Sequence, residues 1–209
     1  AGPLRHTRTR RVYTPPTQWS RPRTCRTLHP VRIIAGEYRG RRIEAPPGRA
    51  TRPMLDRVRE ALFATLAPWL PDARVLDLFA GSGALALEAL SRGARAARVV
   101  ERHAATLALL QTNVATLGLG DRVESVRGDA LAPASWRGGA LFAGQRYDLV
   151  FLDPPYAQLD TAPGKRAVLA ALATLVRDHL APDGYLLLHA PRARLDANDF
   201  PPNVIPALR

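Results

Sequence analysis

The chain of 209 residues contains a single cysteine, Cys25, so no disulfide can close within it and a reducing, cytoplasmic setting suits it. No run of 18 apolar residues occurs, which excludes a membrane-spanning helix, and the N-terminus has arginine and proline where a signal peptide would have an apolar core. Cysteine and histidine nowhere fall at zinc-ligand spacing. No metal is expected, and the five scattered histidines read as ordinary surface or core residues. Lysine is nearly absent, with Lys165 alone against 29 arginines, a bias that carries no weight by itself. The first 30 residues contain no acid at all.

That last absence locates the charge. Of the formal net charge of +12, all arises in residues 1–59, which carry 15 arginines against Glu37, Glu44 and Asp56. Residues 60–209 hold 15 basic and 15 acidic residues. A neutral body with a basic leading quarter points to a polyanionic partner held by the N-terminal part. The plainer alternative is a solvated basic tail.

The length allows one α/β domain with an extension. Residues 1–30 have Pro3, Pro15, Pro16, Pro22 and Pro30, seven arginines and no apolar period, so this basic tail is expected to be disordered in isolation. Residues 31–70 form a second unit, read as RNA-facing. Val31–Ala35 and Arg41–Ala45 read as two short strands around Gly36 and the Arg39-Gly40 turn. An amphipathic helix follows over 54–70, with Leu55, Val58, Leu62, Leu66 and Trp69 on one face. From 71 to 209 the chain alternates. Strands are predicted at 74–80, 97–101, 122–127, 147–153 and 184–189, and helices at 83–92, 103–117 and 164–180. The strands are continuous apolar runs, as a sheet buried on both faces requires. The expected fold is therefore α/β: a doubly wound, Rossmann-like, mostly parallel sheet with an N-terminal hairpin and helix.

In such a sheet ligands bind beyond the carboxyl ends of the strands. The first strand runs into Asp77-Leu78-Phe79-Ala80-Gly81-Ser82-Gly83-Ala84, where glycines allow a tight turn and a ligand lying against bare backbone. Glu101 ends the next strand and is placed to accept hydrogen bonds from two ribose hydroxyls. Gly81-x-Gly83-x-x-Ala86 also satisfies a dinucleotide fingerprint, which keeps a nicotinamide enzyme in play. Gly128-Asp129-Ala130 closes the third strand at the same edge, and an acid there can take an adenine amino group.

The fourth strand ends in Asp153-Pro154-Pro155-Tyr156. Two prolines stiffen the loop and remove competing N–H donors. A carboxylate, proline carbonyls and an aromatic face suit one chemical problem, the alkylation of a base amino group. Its lone pair is delocalised, so acceptors on its N–H groups favour a pyramidal nitrogen and stabilise the positive charge that develops in attack. The ring of Tyr156 offers a surface on which the base can stack. The bland alternative is a rigid turn with a capping acid.

With these residues placed, the chain resembles the class I S-adenosylmethionine-dependent methyltransferases and, more narrowly, the bacterial small-subunit (16S) rRNA guanine-N2 methyltransferase D family. The narrower likeness rests on Arg32-Ile33-Ile34-Ala35-Gly36, on Gly40-Arg41 with Pro46, on Thr51-Arg52-Pro53, and on Asp56-Arg57-Val58-Arg59-Glu60-Ala61-Leu62-Phe63. It continues through Asp77–Gly83, Leu87-Glu88-Ala89-Leu90-Ser91-Arg92-Gly93 and Asp153–Tyr156, and covers roughly residues 31–190. The resemblance implies S-adenosyl-L-methionine as cofactor, with Gly81 and Gly83 lining its methionine part and Asp77, Phe79, Ala80 and Ser82 also among the cofactor-binding residues. Glu101 would hold its ribose, and Asp129 with Ala130 its adenine. Asp153, Pro154, Pro155 and Tyr156 would receive the guanine. Arg39, Arg41, Arg42, Arg52, Arg57 and Arg59 would meet RNA, with Asp56 bordering the same region.

Two departures accompany the likeness. Residues 1–30 match nothing in the family. The family usually follows its fifth strand with an antiparallel pair, whereas the tail after His189, with four prolines, shows no convincing pair, so the pair is expected to be missing and the fifth strand to be an exposed apolar edge. The expected partner is ribosomal RNA or a small-subunit assembly particle, met by a monomer away from any membrane. A DNA adenine-N6 methyltransferase and an inactive RNA-binding module retaining the fold are the alternative functions.

Overall fold

The most apolar runs of the sequence become adjacent central strands buried on both faces, while the run at 123–127 lies at the sheet edge and is partly buried. The computed structural model of the protein describes residues 10–14, 31–46, 54, 56–191, 194–195, 199–200 and 204–208. Nine strands are described: β1 (Arg10–Thr14), β2 (Val31–Arg32), β3 (Arg42–Ile43), β4 (Arg74–Leu78), β5 (Ala96–Glu101), β6 (Val123–Arg127), β7 (Tyr147–Leu152), β8 (Leu180–Leu188) and β9 (Val204–Leu208). The helices are α1 (Asp56–Leu66), α2 (Ala84–Ser91), α3 (Ala104–Thr116), α4 (Tyr156–Leu159) and α5 (Ala162–Thr174), with a π-helical turn at Leu175–His179. Among the described residues no helix is long and apolar enough to cross a membrane.

Seven strands form one sheet in the order β6-β5-β4-β7-β8-β1-β9, with every pairing parallel. The register sets Leu78 beside Val100 on one side and Leu152 on the other, so the strands end level. Alternation along each strand separates two cores. Val75, Leu149 and Phe151 face a core shared with Leu62, Phe63 and Leu66 of α1, with α2 and with α3. Leu76, Leu78, Val150 and Leu152 face the other, closed by Val168 and Leu172 of α5 and by Trp136.

The two short strands at the start of the family likeness form the expected antiparallel pair, Val31 opposite Ile43. The helix expected over 54–70 is α1 followed by a 3-10 turn at Ala67–Trp69, where Pro68 interrupts the α ladder. The helix expected over 164–180 gives way to the π turn, and the fifth strand begins earlier, at Leu180.

The chain ends differ from expectation. Arg10–Thr14, within the segment expected to be disordered, form β1 beside β8. No antiparallel pair follows β8 among the described residues, yet β8 is not left as an open apolar edge, because β1 covers it and β9 pairs in parallel beyond. An unpaired apolar strand is a strong template for any segment that can complete its ladder. Pro206 is tolerated in β9 because β9 is the outermost strand.

The N-terminal hairpin is fixed to the main domain by side chains of α2 and α3. Glu88 is fully buried in α2. Its carboxylate accepts the backbone N–H of Ile34 at 2.7 Å and of Ala35 at 3.1 Å, and Nε of Arg92 at 2.7 Å. One turn on, Ser91 donates to the Ala35 carbonyl at 2.6 Å and accepts from Tyr38 N–H at 3.0 Å. Gly36 is required here: its φ is +86° and a Cβ would collide with the Ser91 carbonyl. On α3, buried Asn113 pairs with both backbone groups of Glu44, at 2.8 and 2.9 Å.

Truncating Glu88 strands two backbone donors and a guanidinium at once. Glu88→Ala is expected to lower unfolding free energy by about 3 kcal/mol in urea titrations and to speed amide exchange at Ile34 and Ala35. Protection of those two amides at the wild-type level would place the anchor elsewhere.

Candidate active site

Because the sheet is parallel from β6 to β8, the segments after β4, β5, β6, β7 and β8 share one edge. These are Phe79–Gly83, Arg102–His103, Gly128–Ala130, Asp153–Tyr156 and His189.

The glycine loop turns through left-handed positions at three alternate residues: Phe79 (φ +75°), Gly81 (+55°) and Gly83 (+81°). For Phe79, a non-glycine residue, this conformation costs about 1 kcal/mol. The loop is held by Ala80 N–H to the Val100 carbonyl at 3.0 Å and by Gly83 N–H to the Ala80 carbonyl at 2.8 Å. The Ser82 carbonyl accepts from Asn113 Nδ2 at 3.0 Å, so one buried amide ties the loop to the N-terminal hairpin. The two glycines divide their work. A Cβ at Gly81 would meet only the Phe79 carbonyl oxygen, at 3.9 Å, leaving a bare, open backbone surface. A Cβ at Gly83 would press on Leu110 at 3.2 Å and Leu87 at 3.3 Å. Gly83 is therefore a packing glycine facing the core, and only Gly81 has the ligand-cradle character expected of both.

Glu101 is nearly buried at the end of β5. Its carboxylate oxygens accept from Gly81 N–H at 3.1 Å and His103 N–H at 2.7 Å. Each oxygen keeps a lone pair for a hydroxyl donor. Asp129 is exposed and accepts Leu131 N–H at 2.9 Å, while Ala130 is buried beneath it with its carbonyl bonded to Trp136 Nε1 at 2.8 Å. An open glycine surface, a carboxylate with lone pairs left for hydroxyl donors and an acid at the next strand end fit a nucleoside with an amino-acid tail. This is the makeup of S-adenosylmethionine.

Asp77 departs from its expected place in the binding surface. It is 1% exposed beneath the loop, and its carboxylate accepts Ala86 N–H in the first turn of α2 at 3.2 Å. Burial first, and then the nearby Asp153 carboxylate, push its pKa up to about 7, against the lowering pull of the Ala86 hydrogen bond. Asp77 shapes the loop from below.

The tetrapeptide lies where β7 ends beside the glycine loop's strand. Pro154 is buried and Pro155 exposed, and Tyr156 opens α4 with its ring about half exposed. Asp153 is half-buried, with Oδ1 2.8 Å from Nδ1 of His189. His189 is absent from the residues that sequence reasoning singles out. A lone histidine after a strand carries no spacing signal, and only the pairing of β7 with β8 brings it to Asp153.

Among the arginines expected to meet RNA, Arg39, Arg41 and Arg42 are exposed on the hairpin and Arg57 is exposed on α1. Arg41 also donates to the Thr116 carbonyl at 2.9 Å. Arg59 is corrected: it is 1% exposed, its guanidinium donates to the Arg32 carbonyl and to Asp56 at 3.1 Å, and burial lowers its pKa. It braces the hairpin against α1 and cannot reach a phosphate. Arg52 lies outside the described residues. Among the described residues no group of His, Cys, Asp and Glu could hold a metal ion.

The fold and this edge define an S-adenosylmethionine-dependent methyltransferase. The chain belongs to the family described as Conserved hypothetical protein 95, which it matches over residues 31–196. It is 40% identical over 149 residues to Ribosomal RNA small subunit methyltransferase D of Escherichia coli strain K12, spanning 71% of this chain and 68% of that one. The protein of the same name from Haemophilus influenzae is 38% identical over 127 residues, 60% of this chain and 64% of the other. In structure, a methyltransferase from Escherichia coli described as yhhF superposes with a TM-score of 0.57 at 38% identity, over 76% of this chain and 75% of that one.

The different surroundings of the two glycines give separable outcomes. Gly81→Val is expected to weaken S-adenosylmethionine binding at least about tenfold by calorimetry, by placing branched carbon in the open cradle. Gly83→Val is expected to cost about 1–3 kcal/mol of stability through overpacking against Leu87 and Leu110. Equal loss of stability with unchanged binding in both would remove Gly81 from the cofactor surface.

Asp77 yields a pH prediction. A carboxyl whose pKa is raised on folding favours the folded state most at low pH. Its contribution is full below about pH 4 and is lost as pH rises through the folded value of about 7. Asp77→Asn keeps a carbonyl acceptor for Ala86 and cannot ionise. It should raise the melting temperature at pH 8 relative to wild type and change it little at pH 4. A wild-type pH profile in the variant would show that Asp77 does not titrate in this range.

Proposed function

We propose that the protein transfers a methyl group to the exocyclic N2 amino group of a guanine in small-subunit (16S) ribosomal RNA. The observation that carries this reading is the position of Asp153 and Pro154 at the end of β7, the strand paired with the one that leads into the glycine loop; the Pro155 carbonyl is taken by Gln158 N–H at 2.8 Å, leaving that of Pro154 as the backbone acceptor. The relatives named for small-subunit rRNA methylation supply the substrate class.

S-adenosylmethionine, when bound, supplies a methyl group activated on a positively charged sulfur. The chain's own residues prepare the acceptor. Tyr156 offers an exposed ring on which a base extruded from its RNA stack can lie, a contact worth about 1–3 kcal/mol. Asp153 accepts one N–H of the amino group, and the Pro154 carbonyl is the neighbouring acceptor for the other. These acceptors would hold the nitrogen lone pair ready to take the methyl group that bound S-adenosylmethionine would supply, with the thioether as leaving group. The positive charge passes to nitrogen beside the Asp153 carboxylate, whose attraction is greatest at that moment. The nitrogen finally releases a proton, so no base is needed before attack. Arg39, Arg41, Arg42 and Arg57 are each exposed on the extension, and positive charge there suits RNA phosphates. A monomer acting on an assembly particle or on free RNA is consistent with this arrangement.

Labelled methyl transfer to total RNA, small-subunit particles and DNA from cells lacking the gene, followed by nucleoside analysis, tests the reading. N2-methylguanosine in 16S rRNA is expected, and N6-methyladenine in DNA would replace the proposal. Asp153→Ala should lower turnover about 10²–10³-fold while cofactor affinity stays near wild type. Asp153→Asn should be nearly as damaging, since it discards the charge. Normal turnover in Asp153→Ala would refute the assignment of the tetrapeptide.

A further inference from the structure

One titratable side chain enters the candidate active site from a strand end that no sequence motif covers. His189 follows the last residue of β8. Its backbone N–H donates to the Leu152 carbonyl at 3.0 Å, carrying the β7–β8 ladder one step past the Leu152–Leu188 pair. This fixes the origin of the side chain beside that of Asp153. Nδ1 of His189 lies 2.8 Å from Oδ1 of Asp153, and the side chains are 18% and 32% exposed. The His189 ring also packs near that of Tyr156, with centroids 6.0 Å apart and planes at 60°.

We propose that His189 is a positioning residue for methyl transfer: Nδ1–H donates to Asp153 Oδ1 and fixes the carboxylate so that Oδ2 is left to accept the N–H of the target amino group. The assignment rests on the reading of Asp153 as the amino-group acceptor. A carboxylate oxygen accepts, so the shared hydrogen bond is donated by Nδ1–H. Hydrogen bonds to an ionised acceptor are roughly twice as strong as neutral ones, enough to hold a half-exposed aspartate in one rotamer. Without this contact Asp153 is free to rotate about its χ angles, and its lone pairs meet the amino group only part of the time. The ring contact makes the same histidine a lateral stop for Tyr156, so one side chain locates both the acceptor and the stacking surface.

The test uses two substitutions of matched shape. His189→Asn places an amide nitrogen close to the position of Nδ1 and keeps a donor for Asp153. His189→Leu has nearly the shape of asparagine and no donor. We expect His189→Leu to lower kcat for RNA methylation about 10²-fold, the scale of misplacement of a catalytic group, with KM for RNA and for S-adenosylmethionine little changed. His189→Asn should stay within about tenfold of wild-type kcat. On an Asp153→Ala background, His189→Leu should cost no further activity, because the group it positions is gone. Equal kcat in the leucine and asparagine variants, an effect confined to KM, or a further drop on the Asp153→Ala background would each overturn the proposal. The Asp153→Ala variant measured alongside separates the two readings. Normal turnover in it removes the tetrapeptide mechanism itself, whereas a crippled Asp153→Ala with an unaffected His189→Leu removes only the role of His189.

Discussion

A carboxylate that never reaches solvent governs how the two parts of this protein sit together. Glu88 is 0% exposed and belongs to α2, the helix that begins at the glycine loop. Removing a carboxylate from water is tolerable only where charge-assisted donors replace the lost hydration. Ile34, Ala35 and Arg92 supply them. The hairpin thus contributes backbone donors that the main domain requires, and α2 contributes acceptors that the hairpin cannot find within itself. Arg59 repeats the exchange in reverse, a buried cation from α1 donating to the hairpin carbonyl of Arg32. The exposed arginines of the hairpin are consequently held at one orientation to the glycine loop.

The same economy of donors and acceptors shapes the site. Glu101 takes two backbone N–H groups from the segments that flank it, and Asp77 takes one from α2. No cationic side chain forms an ion pair with either among the described residues. Carboxylates left with backbone partners keep an uncompensated negative field at the strand ends. That field suits a sulfonium donor and a nitrogen that becomes positive. Burial first, and the neighbouring carboxylates after it, raise the cost of ionising Asp77, which holds its proton up to about pH 7. Asp153 differs in having a histidine partner. A hydrogen bond from the imidazole N–H orients that carboxylate.

At the other edge of the sheet the constraint is backbone pairing. β8 is buried on both faces and carries Tyr185, Leu186, Leu187 and Leu188 at or near full burial. Leaving its outer ladder unpaired would waste donors and acceptors along an apolar strand. The ladder is completed by Val12 and Tyr13 opposite Leu186 and Leu187. A segment remote in sequence can serve because parallel pairing imposes no short connection.

How much of this was legible in the sequence depends on the range of the interaction. Apolar runs announce doubly buried strands, and Gly81, Glu101 and Asp153 announce themselves because each ends such a run where a parallel sheet collects its ligands. The strand β1 was hidden because arginines and flanking prolines outweigh its β-branched and aromatic pair, Val12 and Tyr13, and its partner lies near the far end of the chain. The two glycines of the loop look alike as letters, yet Leu87 and Leu110 lie against one and not the other, a distinction made by packing alone. Arg59 and Arg57 are the same residue type two positions apart on a helix, and a helical rotation of about 200° sends one inward and one to solvent. His189 belongs with these cases. Its meaning lies in which strand runs beside β8, and a residue whose role is to hold another across a parallel pair leaves no local signature. Short-range rules recover the groups that end the central strands, and the partners that hold them emerge only when the register is known.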